Sequence, residues 1–139
     1  MAGRKRMWGL YKRPLREPKP NVPELTKSEV KKRCNELVEN VLKPGYIKPP
    51  PEDKRFNYLV DIYTKWYHNY FYFCSKYCCP YPNAISPSFE DKFARLEYVS
   101  EDRFNLSYMR HTEQWWEISS EITLDECIET IKGMPHFMP

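Results

Sequence analysis

The chain has 139 residues and a net charge of +3, enough for one domain of ordinary size with a modest core and no need of disulfide staples. Its 41% hydrophobic and 29% charged residues exclude a chain disordered throughout by composition. The lack of an apolar run near ~18 residues argues against a transmembrane helix, and the lack of an apolar stretch after the basic start argues against a secretory signal.

The charge is unevenly spread. Residues 1–20 hold Arg4, Lys5, Arg6, Lys12, Arg13, Arg16 and Lys19 against Glu17 alone, a net +6 that leaves −3 for the other 119 residues. Pro14, Pro18, Pro20 and Pro23 each remove a backbone donor and disfavour helix before them. Residues 1–25 therefore read as an extended arm ahead of a single domain over residues 26–139. The seven cations are the expected RNA-binding groups, offsetting phosphate charge. Trp8 and Tyr11 are expected to anchor the arm on a partner. The near-neutral body lacks the charge to bind phosphates over a whole face.

A first helix is expected from Thr26, where Thr26-Lys27-Ser28-Glu29 matches a capping box. Val30, Cys34, Leu37, Val38, Val41 and Leu42 then share one helical face, and Lys43-Pro44-Gly45 ends it. After the stiff Pro49-Pro50-Pro51 spacer, a second helix is expected from about Glu52 to Tyr77. Its stripe is Phe56, Leu59, Val60, Tyr63, Trp66, Tyr67, Tyr70, Phe71 and Cys74. Tyr58 and Tyr72 leave that stripe and are expected to meet a partner, because a helix apolar on more than one face is buried on more than one side.

Past the turn-rich Cys78–Pro87, the period changes from 3.6 to 2. Phe93–Val99, Phe104–Arg110 and Trp115–Ser119 read as a three-stranded antiparallel meander. Ala94, Leu96 and Tyr98 point one way, and Arg95 and Glu97 the other. A last helix opens with the capping box Thr123-Leu124-Asp125-Glu126, buries Leu124, Cys127, Ile128 and Ile131, and ends at Gly133. The fold class is α+β, with two N-terminal helices, the meander and a C-terminal helix behind the arm.

Four groups of residues are candidates for chemistry or binding. Cys74, Cys78 and Cys79 with His68 do not have the separated pairs that structural zinc uses, so a core cysteine plus a turn is preferred. His111 and Glu113 could form an acid/base pair, but nothing supplies a nucleophile, so a polar turn is preferred. The final helix starts on Asp125, Glu126 and Glu129, the wrong sign for the phosphate contacts of a double-stranded-RNA-binding domain. Arg110 is placed near Trp115 and Trp116 across a turn, where cation–π stacking competes with simple packing and packing is preferred.

The stretch Leu106-Ser107-Tyr108-Met109-Arg110-His111-Thr112-Glu113-Gln114-Trp115 resembles the Leu-x-aromatic-Met-Arg-x-x-x-x-Trp core of a bacterial domain of unknown function, number 3024. The resemblance covers about the last third of the chain, with Leu124–Lys132 and Pro135-His136-Phe137 similar to that family's short helix and Phe-containing end. It leaves the arm and first helix outside, and it implies no activity and no functional residues.

The expected function is that of a non-enzymatic subunit of a large intracellular assembly, a ribosome-like ribonucleoprotein. The arm would lie on RNA and the aromatic element on neighbouring proteins, with Trp8, Tyr11, Tyr58, Tyr72, Arg110 and Trp115 as partner-binding residues. No cofactor, metal or small-molecule substrate is expected. The alternatives are a protein–protein adaptor of a membrane-associated or transcription complex without RNA contact, and a small enzyme or zinc protein. Five cysteines without a secretory signal point to a reducing compartment. The mitochondrial matrix is favoured, with nucleus or plastid open.

Overall fold

Tyr67-His68-Asn69-Tyr70 reverses the chain, and the whole architecture follows from that turn. The structure, a computed structural model, describes residues 21–134 and 136–139; residues 1–20, and with them most of the expected arm, lie outside the described residues. The elements are α1 (Glu24–Leu37), a π-helical turn (Val38–Leu42), α2 (Lys43–Tyr46), β1 (Tyr58–Tyr67), β2 (Tyr70–Cys78), β3 (Ser88–Ser100), β4 (Arg103–Met109), β5 (Trp115–Ile122) and α3 (Leu124–Gly133). The strands form one antiparallel sheet in the order β1-β2-β3-β4-β5.

The sheet thus has five strands where sequence periodicity indicated three. The expected helix over 52–77 is the β1–β2 hairpin. Ten aromatics lie between Phe56 and Tyr77, so dense that a 3.6-residue stripe can be drawn through them by chance. Their chemistry points the other way. Val60, Ile62 and Thr64 are β-branched, and bulky rings lose rotamer freedom in a helix but fit a pleated surface. His68 adopts φ 55°, and with Asn69 it makes the two-residue link between the paired Tyr67 and Tyr70.

Period-2 burial is plain once the hairpin is drawn. Ile62, Phe71, Phe73, Ala94, Leu96, Phe104 and Leu106 are buried on one face, with Phe71 opposite Leu96, Phe73 opposite Ala94, and Leu96 opposite Leu106. The expected Ala94/Leu96/Tyr98 face is therefore present. It packs on α1 and α3, not on a central aromatic helix. A β-bulge between Phe73 and Cys74 lets Phe73, Cys74 and Ser75 all be buried.

α1 supplies Val30, Cys34 and Leu37 to the core. It starts at Glu24, with Pro23 at its N-cap and no side-chain cap bond. Thr26 thus sits within the first turn and caps nothing, because Pro23 already sets the entry. Val22 is 8% exposed and joins the core, so residues 22–25, assigned to the arm from sequence, belong to the fold. At Val38–Leu42 the helix widens, with the Lys43 N–H reaching back to Val38 O. Pro44 follows directly and has no N–H to give, and the wider turn carries the helix past it to Tyr46.

α3 opens as expected: Thr123 Oγ1 accepts from the Glu126 N–H at 3.2 Å, and Glu126 Oε1 accepts from the Thr123 N–H at 2.9 Å. Gly133 ends it without a left-handed cap, since no glycine among the described residues has positive φ and Met134 leaves in extended backbone. The tail returns to the core through Phe137, which is 1% exposed. Among the described residues no helix is long and apolar enough to cross a membrane.

One measurement separates hairpin from helix. Tyr67 and Phe71 share a face on a helix and oppose each other in exposure here, at 61% and 0%. Phe71→Ala is expected to cost about 3–5 kcal/mol by cavity formation, and Tyr67→Ala within about 0.5 kcal/mol. Denaturant melts of the two variants decide it, and equal losses would contradict the hairpin.

Candidate functional site

The helices, the tail and the core occupy one face of the sheet. α1 touches that face through Trp66, whose Nε1–H donates to Lys27 O at 3.2 Å, and through Thr64, whose Oγ1 lies 2.6 Å from Asn35 Oδ1. Strand alternation sends the intervening residues to the other face: Tyr63, Lys65 and Tyr67 from β1, Tyr70, Tyr72 and Cys74 from β2, Arg95 and Glu97 from β3, Ser107 from β4, Trp115 and Glu117 from β5. No described element packs over this second face.

Its centre is a tier of rings and cations. The Arg95 guanidinium lies between two rings, its Cζ 4.6 Å from the centroids of both Tyr70 and Trp115. Tyr72 stands 5.9 Å from Trp115 and 6.0 Å from Tyr70, with Lys92 Nζ 5.7 Å over its ring. The Arg95 Nε is buried without a hydrogen-bond partner, so the ring faces are what hold this guanidinium. Beside the tier, a pocket of about 340 Å³ opens among Lys65, Trp66, Tyr67, Tyr72 and Lys92.

Glu90 fixes the neighbouring lysines. Its carboxylate accepts from the Tyr63 hydroxyl, from Lys65 Nζ at 2.9 Å and from Lys92 Nζ at 3.2 Å. Those hydrogen bonds, led by Tyr63, draw the Glu90 pKa down to about 2, while burial and then the Glu90 contact push Tyr63 up. A cross-strand carboxylate thus joins β1 and β3 across β2.

The residues picked from sequence fall as follows. Tyr72 and Trp115 meet in the tier. Tyr58 pairs with Cys78 at the far end of the hairpin and does not join them. Arg110 does stack on an indole, with Cζ 4.7 Å from the Trp116 ring, so the cation–π reading holds over the packing one. Arg4, Lys5, Arg6, Trp8, Tyr11, Lys12, Arg13, Arg16 and Lys19 lie outside the described residues. Arg95, Tyr70, Lys65, Lys92 and Glu90 were missed. The outward alternation of Arg95 and Glu97 was legible; Tyr70 was hidden inside the supposed helix.

His111 and Glu113 are exposed in the β4–β5 turn, closed by Arg110 N–H to Gln114 O at 2.9 Å. His68 stands at the turn end of the hairpin and Cys78 at its other end, so the strands hold apart the ligands a zinc site would need. Among the described residues no cluster of three His, Cys, Asp or Glu could hold a metal ion. All five cysteines are unpaired.

A family model for a domain of unknown function (DUF3024) matches residues 22–139. The chain belongs to that family. The match reaches well beyond the last third that the Leu106–Trp115 motif suggested: it takes in α1 and the whole sheet, and it begins at the first core residue, Val22. No curated protein and no solved structure matches. In this DUF3024 chain the ring tier comes from β2, β3 and β5, all inside the matched region.

Two outcomes check the site. Glu90→Gln is expected to lose about 1 kcal/mol at pH 7, the scale of a partly screened ion pair. The Glu90 side chain is 31% exposed. Because its folded pKa is depressed, the contribution is full above about 4.5 and fades as pH falls towards 2. Urea melts at pH 7 and pH 2.5 should show the gap between variant and parent closing; a gap that does not change with pH counts against the cluster. Native alkylation should label the half-buried Cys78 and Cys79 first. Cys34, Cys74 and Cys127 are fully buried, with burial pushing the Cys74 and Cys127 thiols up to about 11 and 12, so intact mass should show them reacting only on unfolding.

Proposed function

We propose that this chain is a non-enzymatic RNA-binding subunit of an intracellular ribonucleoprotein. It takes unpaired bases on the sheet face opposite the helices, and its basic segment 1–20 offsets phosphate charge. The observation that carries this reading is the Tyr70–Arg95–Trp115 tier with Tyr72 and Lys92 beside it. Rings and guanidinium planes on an antiparallel sheet are the groups on which splayed bases stack. They are binding groups, not groups that move protons or form bonds. The five unpaired cysteines support a reducing compartment, and we place the protein in an organelle matrix such as the mitochondrial one.

A second reading rests on a specific observation. Around the tier, Lys65, Lys92 and Arg95 stand against Glu90, Glu97 and Glu117, a balance that favours a protein partner over a polyanion. Tyr, Trp and Arg are also the usual anchors of protein interfaces.

A fluorescence-anisotropy titration of the full chain with a labelled single-stranded RNA separates the two. Binding should weaken steeply with salt. Trp115→Ala and Tyr72→Ala should each weaken it by the equivalent of about 1–3 kcal/mol for a lost stacking ring. Binding unchanged in both variants would sink the sheet-face reading. No RNA binding, together with copurification of proteins that survives RNase and high salt, would favour the adaptor.

A further inference from the structure

The sheet carries a second cation–ring stack, on the face that bears the helices. Trp115 and Trp116 are successive residues of β5, so their indoles leave by opposite faces. Trp116 stands opposite Tyr108 in register. The Arg110 guanidinium lies over the Trp116 ring, its Cζ 4.7 Å from the centroid. The His136 imidazole stacks on Tyr108 at 4.7 Å and 19°. Imidazole, phenol, indole and guanidinium thus follow one another as a ridge at the β5 edge of the sheet. We propose that this ridge is a nucleotide-binding site, with an unpaired RNA base against Trp116 and its phosphate on Arg110. The proposal rests on the reading of the chain as RNA-binding, and not on the tier of β2, β3 and β5.

The ridge is both fixed and open. Both backbone groups of Arg110 are bonded within its turn: its N–H donates to Gln114 O at 2.9 Å, and its carbonyl accepts the Glu113 N–H at 2.8 Å. Tyr108 is backed by Phe137, edge-on at 6.0 Å and itself 1% exposed. Above this footing Trp116 is 51% exposed, and His136 is exposed as well. Half-exposed indole on a rigid base is what a splayed base stacks on.

Arg110 differs from the other cations of the sheet in what it leaves available. Lys65 and Lys92 are held by Glu90 at 2.9 and 3.2 Å, and Arg95 has its Nε buried between two rings. Arg110 stacks on one ring only, and among the described residues it has no carboxylate partner. Stacking uses the face of a guanidinium and leaves its N–H edges, which match phosphate oxygens in pairs. The charged and titratable neighbours are His111 and Glu113, both exposed in the same turn, and His136 beyond Tyr108. One carboxylate against a guanidinium and two imidazoles favours an anionic ligand here.

The test is anisotropy of the full chain with a labelled oligouridylate of about 12 nucleotides, within the usual site size of a single domain. Trp116→Ala should weaken binding about five- to a hundredfold, the value of one stacking ring. Arg110→Gln should weaken it and lower the slope of log affinity against log salt by about one, whereas Arg110→Lys should keep the slope. Trp115→Ala reports the tier separately. Affinity unchanged in Trp116→Ala and Arg110→Gln, with Trp115→Ala weakened, overturns the ridge and leaves the tier reading standing. The reverse pattern supports the ridge and removes the tier. A weakened Arg110→Gln with the parent's salt slope overturns the phosphate contact. No RNA binding by the parent overturns both readings. A copurifying protein that survives RNase and is lost only in Trp116→Ala makes the ridge a protein interface and overturns the proposal.

Discussion

β2 imposes the constraint on which the rest depends. A strand sends alternate side chains to opposite faces, so burying Phe71 and Phe73 under the helices obliges Tyr70 and Tyr72 to face away from them. The two sets cannot be chosen independently, since a one-residue slip would exchange them and place tyrosine hydroxyls in the core. The register of β1 and β3 on β2 is therefore pinned by the energetics of the core face, and the ring tier on the second face inherits its geometry from that. Arg95 lies between Tyr70 and Trp115 because Leu96 must lie under Phe71.

The helical side is positioned on the sheet by a few polar ties. α1 is hooked to β1 by the Trp66 indole and by the Thr64–Asn35 contact. α3 is tied to the β3–β4 turn, where the Asp102 carboxylate accepts the Leu124 N–H at 3.0 Å, and to α1 through Arg33 and Asp125. Asp102 itself sits at φ 51°, a left-handed geometry that Asp tolerates better than most residues. The Asp102 bond satisfies a first-turn N–H of α3, and together the four ties set where each helix lies on the sheet. The aliphatic and aromatic cluster beneath then supplies most of the stability.

How much of this could be read from sequence depends on how much freedom the local pattern leaves. α3 was legible because its capping box, short amphipathic stripe and acidic first turn all agree. β3 and β4 were legible because Ala94, Leu96 and Tyr98 alternate with charged residues, and a charge on the wrong face is costly. The β1–β2 hairpin was not legible from periodicity. Trp66, Tyr67, Tyr70, Phe71, Tyr72 and Phe73 crowd so many rings into one stretch that any period finds a stripe. Only propensity and the His68-Asn69 turn distinguish strand from helix there. The tier was half visible in consequence. Tyr72 and Trp115 were chosen as exposed rings, yet Arg95 between them emerges only when β2 is a strand lying beside β3.

The same geometry explains why the face suits flat partners. A cation held between two rings by stacking, with its Nε–H already buried, cannot turn to form a directed ion pair without giving up both ring contacts. Arg95 therefore acts as part of a surface and not as a mobile hook. Glu90 does the same to Lys65 and Lys92, drawing both ammonium groups inward and lowering their availability to a distant phosphate. What remains presented is polarizable ring and guanidinium surface with balanced charge, rigid because each piece is fixed by a neighbour on the next strand. Rigid amphipathic surface loses little conformational entropy on binding. Specificity on such a face then comes from the spacing of its rings, which the core register sets, and long-range attraction has to be supplied by charge elsewhere in the chain. The N-terminal segment, with most of the chain's excess positive charge, is where the sequence concentrates it.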